Sequence, residues 1–366
     1  MWEAIPGQER IDSVGYEYHN ILKPATNRDP VYPVVLCQSS AFSLPSPANP
    51  PTMPAMRIVS LLPSATEMVF ALGLGDSLVG VSHMCDYPAA ARGLPIVSRS
   101  IRSKSDLSSA EIDAIIQQAR ATGNPLYVID GDLLRDLQPD LILTQELCEV
   151  CAVGAGSVFE TAAKVLDYSP EILSIRPAGL DDIFGNIRRI GDTAGVSERA
   201  GDLLAELGAR ADHVAQRITD GRRPKVFCID WLEPLRNTGQ WTPELVELAG
   251  GEEGLAEKWG KSREVGWDEV LAYQPDYVMV MPCAFDMERT IIETARLSER
   301  AEWNALEAVQ KGRVYLFDGQ IPSRHGPRVV DVLEGLAEAM RPDVFTGLAQ
   351  PGVFRPAALS VPAVVG

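Results

Sequence analysis

One short pattern occurs twice in this chain and restricts the folds that it can adopt. Leu137-Gln138-Pro139-Asp140 leads into the apolar run Leu141-Ile142-Leu143, and Tyr273-Gln274-Pro275-Asp276 leads into Tyr277-Val278-Met279-Val280. In each copy a proline ends a helix, and the run that follows has the length and composition of a buried strand. The copies are too far apart for a solenoid, whose repeats span about 20 to 50 residues. The pattern therefore predicts a duplicated lobe.

Short apolar strands alternate with helical stretches through most of the chain. This alternation is typical of parallel sheets flanked by helices, so we expect an α/β fold with two Rossmann-like lobes. The predicted strands are 57–62, 78–82, 126–129, 140–145, 171–175, 225–230, 276–281 and 313–317. They form two groups, one on each side of residue 180.

The segment between the two groups has helical spacing. Apolar residues recur at Ile183, Ile187 and Ile190, and a second run with the same spacing extends through 197–219. We therefore predict a long helical backbone at 181–222, stiffer than an extended crossover, so that the lobes close by a small rocking motion. The alternative is that these are ordinary packed helices inside one large domain.

The two ends of the chain differ from the middle in composition. Residues 1–55 contain nine of the 27 prolines without sustained periodicity, which predicts a flexible extension, and folding begins near Met56. Either Met1 or Met56 is then the true start. The predicted organisation is an extension at 1–55, lobes at 56–180 and 223–345, the helical linker at 181–222 and an irregular tail at 346–366.

Charge and motifs exclude several classes of function. The net charge of −17 is unsuited to nucleic acid or anionic membranes, because both bind clustered Lys and Arg. The chain has no run of about 20 apolar residues, and Met1 to Asn20 contains no apolar signal core. These features predict a cytoplasmic monomer without a membrane span. No GxSxG, HExxH, Walker or GxGxxG motif is present, so we do not expect an enzyme.

Several segments, taken in order, resemble a known family. Ser60-Leu61-Leu62-Pro63-Ser64-Ala65-Thr66-Glu67, Gly80-Val81-Ser82-His83-Met84-Cys85-Asp86-Tyr87-Pro88 and Ser323-Arg324-His325-Gly326-Pro327-Arg328 are similar to segments of the cobalamin- and iron-siderophore-binding receptors of ABC importers. The similarity covers about residues 56–342. It implies a ligand clamped between two lobes without chemistry on it, here a corrinoid or a related metal-organic molecule, and an importer permease as partner. Such receptors are normally exported.

The loops that follow the strands supply the candidate site, since ligands of open α/β sheets lie beyond the carboxyl ends of the strands. We expect the ligand to contact His83, Met84, Asp86, Tyr87, Gln145, Trp231, Trp241, Phe285, Arg324 and His325.

The aromatic and cationic members of this set suit a large ring system. Trp231 and Trp241 offer flat faces to a macrocycle; the alternative is that each fills the core of its lobe. The resemblance places Arg324 toward the ligand, where a guanidinium serves carboxamide or phosphate oxygens, although a surface ion pair is the alternative.

The remaining polar members have simpler alternatives. Asp86 fits a turn-capping acceptor better than a ligand contact. His83 and His325 are potential axial ligands of a bound metal, but a single histidine is more often a packed or capping residue.

The cysteines suggest a second type of site that the resemblance does not explain. Cys148 and Cys151 form a CxxC pair, and Cys283 lies on the corresponding loop of the other lobe. With His325 they provide four ligands for zinc, or thiolates for an iron–sulfur centre, only if the cleft closes. The alternative is that they are buried hydrophobic residues. The cysteines also leave open a second function, that of a cytosolic protein that handles a metal or a corrinoid. A third alternative is an interaction module whose cleft is filled by its own side chains.

Limited proteolysis tests the predicted boundary of the extension. We expect a protease of broad specificity to remove residues 1–55 and to leave a stable product that begins near Met56. Mass spectrometry identifies the new amino terminus. If residues 1–55 resist digestion as well as the lobes do, the boundary is wrong.

Overall fold

The computed structural model describes residues 56–100, 107–122, 126–145, 155–219 and 221–358. These residues form two six-stranded sheets. The first contains β1 (Ile58–Ser60), β2 (Leu78–Ser82), β3 (Ile96–Ser100), β4 (Tyr127–Ile129), β5 (Leu141–Gln145) and β6 (Glu171–Ile175). The second contains β7 (Lys225–Leu232), β8 (Leu235–Asn237), β9 (Glu252–Glu253), β10 (Tyr277–Val280), β11 (Val314–Phe317) and β12 (Phe354–Pro356).

Each sheet has a parallel centre, with antiparallel pairing at one edge of the first sheet and at both edges of the second. The order of the first sheet is β4-β3-β2-β1-β5-β6, and β4 is antiparallel to β3. The order of the second is β12-β11-β10-β7-β8, with β9 beside β7, and both β8 and β12 are antiparallel to their neighbours. The carboxyl ends of the central strands therefore lie at one edge of each sheet, where the candidate site was predicted.

Helices cover the sheets and connect them. They are α1 (Pro63–Ala71), α2 (Ser109–Thr122), α3 (Gly131–Leu137), α4 (Ala155–Val165), α5 (Leu180–Thr193), α6 (Ser197–Ala215), α7 (Thr242–Leu248), α8 (Trp267–Tyr273), α9 (Met287–Leu297), α10 (Ala301–Asn304), α11 (Glu307–Gln310), α12 (Val329–Met340) and α13 (Pro342–Phe345). No helix in the described ranges is both long and apolar enough to cross a bilayer.

The repeated pattern has the same structural role in both lobes. The backbone N–H of Arg57, just before β1, donates to Asp140 Oδ2 at 2.8 Å. The N–H of Lys225 at the start of β7 donates to Asp276 Oδ2, also at 2.8 Å. Each aspartate thus binds the beginning of the neighbouring central strand and fixes the register of the pair. This equivalence supports the duplication that the sequence predicted.

The helix before each repeated aspartate ends in the same way. Gln138 and Gln274 both have left-handed backbone conformations, with φ of 42° and 49°, and the proline that follows prevents further helix. Gly73 and Gly250 end α1 and α7 at φ of 69° and 81°, a conformation that glycine adopts without a Cβ clash.

Two helices, α5 and α6, form the predicted helical backbone. They are separated by a turn at Gly195, whose φ is 70°. The helices pack closely, because a Cβ on Gly191 would lie 2.5 Å from the Cβ of Ala200. Two packed helices, rather than one continuous helix, therefore join the lobes.

The largest apolar cluster runs through this backbone from one sheet to the other. It includes Met68 of α1, Ile187 of α5, Leu204 of α6, Leu333 of α12 and Phe317 of β11. All five are buried. The lobes therefore share a continuous core along one side, and the small rocking motion stays a prediction.

Four strands were absent from the sequence prediction, and the tail was predicted wrongly. Three of the four, β3, β8 and β9, are short and carry polar residues. They are strands because they pair with a neighbouring strand, so their own sequence shows little alternation of apolar and polar residues. The tail at 346–366 was expected to be irregular, but β12 lies within it and pairs with β11. Phe354 stacks there on Phe317 with ring centroids 5.6 Å apart.

A charged cluster joins α6 to α12 beside the shared core. Arg210 contacts Glu334 at 2.6 Å and Asp331 at 2.5 Å, and both carboxylates are largely buried. Hydrogen bonds that Arg210 donates to Glu334 and then to Asp331 raise its pKa, against the opposing effect of burial. The guanidinium is therefore held in its charged form.

We predict that Arg210→Ala lowers the free energy of unfolding by about 3 kcal/mol, because two buried carboxylates lose their partner. Urea unfolding followed by circular dichroism measures the change. Arg135→Ala is the control: Arg135 pairs with Asp132 on the surface, and its loss should cost under about 1 kcal/mol. Equal effects of the two substitutions would contradict a stabilising role for the α6–α12 cluster.

Candidate functional site

The lobes contact each other through a buried carboxylate on α1. Glu67 is almost inaccessible and accepts a hydrogen bond from Arg324 Nη1 at 3.1 Å. Arg328 donates to both oxygens of the same carboxylate, at 2.9 and 2.5 Å. Both arginines belong to the segment between β11 and α12. We call this group, with Asp86, the inter-lobe ion cluster.

Asp86 completes the inter-lobe ion cluster from the loop after β2. Its Oδ1 lies 2.7 Å from Arg324 Nη1, and the carbonyl of Met84 is 3.5 Å from Arg324 Nη2. Burial opposes the charge of Arg324, but Asp86 and Glu67 outweigh it and raise its pKa. Arg324 therefore stays charged between the lobes. In this closed arrangement both the arginine and Asp86 have protein partners.

His325 lies beside the inter-lobe ion cluster and is also buried. Its Nδ1 is 3.2 Å from the hydroxyl oxygen of Ser64 at the start of α1. The Trp241 ring is edge-on to the imidazole at 5.6 Å, and Trp241 Nε1 donates to the carbonyl of Pro322 at 3.0 Å. Burial lowers the pKa of His325 to about 4, so the ring is neutral near pH 7.

Trp241 is buried in the second lobe, as the core-filling alternative required. It is 5% exposed and belongs to the shared apolar cluster. Because the ring is buried in this arrangement of the lobes, ligand contact by Trp241 stays a prediction.

A second set of inter-lobe contacts surrounds the start of α2. Trp231 Nε1 donates to the carbonyl of Ser109 at 3.2 Å, and the Ser109 hydroxyl donates to Glu293 at 3.4 Å. Arg289 donates to the carbonyl of Leu107. Residues 107–109 of the first lobe thus meet the carboxyl end of β7 and the helix α9.

Trp231 and Phe285 form an aromatic pair on the second lobe. Their ring centroids are 5.2 Å apart, and the guanidinium of Arg289 lies 4.7 Å from the Phe285 centroid. Trp231 is only partly buried, whereas Phe285 is 7% exposed. Trp231 therefore offers the more accessible of the two predicted aromatic surfaces.

The other predicted residues lie on the first lobe. His83 Nδ1 is 3.1 Å from the Ser98 carbonyl, and its ring lies 5.6 Å from that of Tyr127. Tyr87 is 47% exposed beneath the guanidinium of Arg328, which is 3.9 Å from the ring centroid. Gln145 is buried at the carboxyl end of β5. All of these positions flank the predicted edge of the sheet.

The proposed cysteine site falls largely outside the described residues. Cys148 and Cys151 both lie in the gap between 145 and 155. Cys283 is a half-buried free thiol at the carboxyl end of β10. Over the ranges that the structure describes, no three His, Cys, Asp or Glu side chains are grouped to hold a metal ion. Convergence of the three cysteines therefore stays a prediction.

The sequence prediction did not include several residues that join the lobes. Glu67 and Arg328 lie within the family-like segments, but neither was assigned a role. The sequence does contain a signal for Glu67, because it lies among the apolar residues of α1 and a buried carboxylate requires a partner. Arg289 and Glu293 carried no comparable signal, since α9 has many exposed polar residues.

The fold and this edge define a two-lobed solute-binding protein with a helical backbone. Residues 58–321 match the family model described as periplasmic binding protein, and the chain belongs to this family.

Curated relatives align with most of the chain. An uncharacterized ABC transporter substrate-binding lipoprotein, YvrC of Bacillus subtilis, is 24% identical over 88% of this chain and 90% of its own length. A vitamin B12-binding protein of Vibrio cholerae is 27% identical over 77% of this chain and 87% of its own length.

Solved structures share the fold. The vitamin B12-binding protein BtuF of Vibrio cholerae is 24% identical, with a TM-score of 0.55 over 79% of this chain and 98% of that chain. A haem-binding protein of Pseudomonas aeruginosa is 21% identical, with a TM-score of 0.62 over 83% and 98% of the two chains. At these identities the likeness concerns the fold alone.

Protonation of His325 should weaken the closed structure in mild acid. Its pKa of about 4 is below the ordinary value near 6.5, so between these values the unfolded chain binds a proton that the native protein does not. Stability that is present above about pH 6.5 is therefore lost as the pH falls, by at most about 1.4 kcal/mol per pH unit.

We predict that His325→Gln removes this component of the pH dependence. Urea unfolding at pH 7, 6 and 5 should give a shallower decline for the variant than for the natural protein. His213→Gln is the matched control, because His213 is exposed on α6. Parallel declines in the natural protein and His325→Gln would show that His325 titrates normally.

Proposed function

We propose that this protein is the receptor of an ABC importer and that it clamps a corrinoid between its lobes. Two independent sets of contacts, around Glu67 and around Ser109, bring the carboxyl edges of the two sheets together. The predicted residues Trp231 and Arg324 of the second lobe and Asp86 of the first lobe take part in these contacts, and His325 lies beside them. This meeting of predicted side chains from both lobes is the observation that carries the proposal.

Ligand entry requires the two sets of contacts to separate. Opening would free Arg324 and Arg328 from Glu67 and would expose the face of Trp231 near Phe285. Guanidinium groups bind carboxamide and phosphate oxygens, and aromatic faces cover a flat macrocycle. A corrinoid has both kinds of surface. The similarity to proteins named as vitamin B12-binding supports this ligand class.

Haem is the second candidate ligand. The structural likeness to a haem-binding protein supports it, and His83 and His325 supply imidazoles at the same edge. His325 is neutral, as a metal ligand must be, but it is covered by Trp241 in the closed structure. An iron siderophore is a third possibility within the same class of metal-organic ligand.

The other functional alternatives have less support. The relatives are named as binding proteins, and nothing in the arrangement around Arg324 favours metal transfer over binding. The cysteine site, with zinc or an iron–sulfur centre, stays a prediction that concerns Cys148, Cys151 and Cys283. The lipoprotein and periplasmic names of related proteins do not support a cytoplasmic location, so we propose that this protein acts outside the cytoplasmic membrane with a permease partner.

Direct titration distinguishes the candidate ligands. We expect cobalamin to bind the purified protein, with quenching of tryptophan fluorescence, more tightly than haemin or a ferric hydroxamate siderophore. Trp231→Ala should weaken cobalamin binding by at least about 2 kcal/mol, or roughly thirtyfold, if its ring is a buried anchor in the complex.

Two controls make the titration specific. Trp259→Ala removes a tryptophan that is 57% exposed and lies outside both sets of inter-lobe contacts, and it should leave the affinity unchanged. Trp231→Phe keeps an aromatic face and should recover most of the affinity. Binding of haemin more tightly than cobalamin would identify haem, and not a corrinoid, as the ligand. Failure of all three ligands to bind would refute the proposed ligand class.

A further inference from the structure

A separate cavity opens on the second lobe at the amino ends of its strands. Its volume is about 230 Å³. Asp276 and Arg313, which line it, immediately precede β10 and β11, and Arg222, Arg341 and Met340 complete most of the wall. Since the inter-lobe contacts lie beyond the carboxyl ends of the strands, this cavity is at the opposite end of the sheet.

Positive charge dominates the lining of the cavity. Three arginines face one carboxylate, in a chain whose net charge is −17. Asp276 is already engaged, because its carboxylate accepts from the backbone N–H of Lys225 at 2.8 Å and contacts Arg222 at 2.9 Å. Its charge is thus balanced locally, which leaves Arg313 and Arg341 in excess.

Neither of these two arginines forms an ion pair within 4 Å in the part of the chain that the structure describes, since Asp276 pairs with Arg222 and Glu307 pairs with Lys311. The charge of Arg313 also acts on Glu307, whose pKa it helps to lower after the larger effect of Lys311. The guanidinium of Arg313 lies over the ring of Tyr277, 5.5 Å from its centroid. Arg341 Nη2 donates to the carbonyl of Gly250 at 3.1 Å, whereas its Nε is buried without a hydrogen-bond partner there. A buried donor without an acceptor costs free energy, so it commonly marks the position of an ion or a water molecule.

The geometry points to an oxyanion site: we propose that the cavity binds a phosphate group through Arg313 and Arg341. Guanidinium groups bind phosphate oxygens through paired, charge-assisted hydrogen bonds, and Arg313 and Arg341 bring two such groups to the lining of this cavity. A water molecule occupies about 30 Å³ in the liquid, so the cavity has room for a phosphate group. Tyr277 and Met340 add apolar surface for a small organic substituent.

Titration of the full chain with inorganic phosphate tests the site. Isothermal calorimetry at constant ionic strength should show saturable binding of one phosphate. Arg313→Gln should weaken it at least about tenfold, because a hydrogen-bonded charge is lost. Arg341→Lys keeps the charge but removes the paired donors of the guanidinium, so it should also weaken binding. Circular dichroism checks that each variant is folded.

The phosphate group could belong to a free anion or to a lipid. Sedimentation with vesicles of phosphatidylcholine, with and without phosphatidylglycerol, separates these sources. Saturable binding of free phosphate that depends on Arg313 supports a soluble ligand. Sedimentation with anionic vesicles that Arg313→Gln abolishes supports a headgroup.

A surface arginine provides the matched control. Arg135→Gln removes the same charge from the first lobe, where Arg135 is exposed beside Asp132. It should leave both kinds of binding unchanged. The site is refuted if neither phosphate nor anionic vesicles bind, or if Arg135→Gln weakens binding as much as Arg313→Gln does. These outcomes are independent of ligand binding between the lobes, since Trp231 and Arg324 are unchanged.

Discussion

The closed arrangement of the lobes depends on the burial of Glu67. Removing a carboxylate from water costs several kcal/mol unless charged donors replace the lost hydration. Here the donors are Arg324 and Arg328, which belong to the other lobe, so the carboxylate is satisfied only while the lobes are together. Asp86 in turn balances Arg324. The charge of each group thus has a counterpart across the interface, and opening must expose these groups to solvent or supply other partners.

This arrangement gives a physical account of ligand capture. A ligand that offered oxygens to Arg324 could replace protein carboxylates at modest net cost, because both states contain charge-assisted hydrogen bonds. The shared apolar core through α5, α6 and α12 keeps the opposite side of the interface together. A small rotation about the backbone helices, as the sequence predicted, would separate the lobes while keeping this core intact.

The sequence was a good guide to elements with a strong local pattern. The repeated Gln-Pro-Asp pattern located β5 and β10, and it corresponds to an aspartate that binds the start of a neighbouring strand. Short strands such as β9, which consists of two glutamates, were missed because pairing with β7 alone makes them strands. For the site, Trp231 and Arg324 were predicted to contact a ligand between the lobes; both contact the other lobe, and their contact with a ligand stays a prediction. Glu67 was missed because its partners lie far away in sequence.

Local sequence by itself determined the duplicated α/β pattern, the helical spacing of the backbone and the loops that follow the carboxyl ends of the strands. These features depend on periodicity, on proline and on apolar runs, all of which act over a few residues. Only the tertiary structure decided that Glu67 is shared by two arginines, that Trp241 packs against His325, and that Arg313 and Arg341 line one cavity. Burial and pairing of charges depend on groups that are distant in the chain, and no local pattern records which of them will meet.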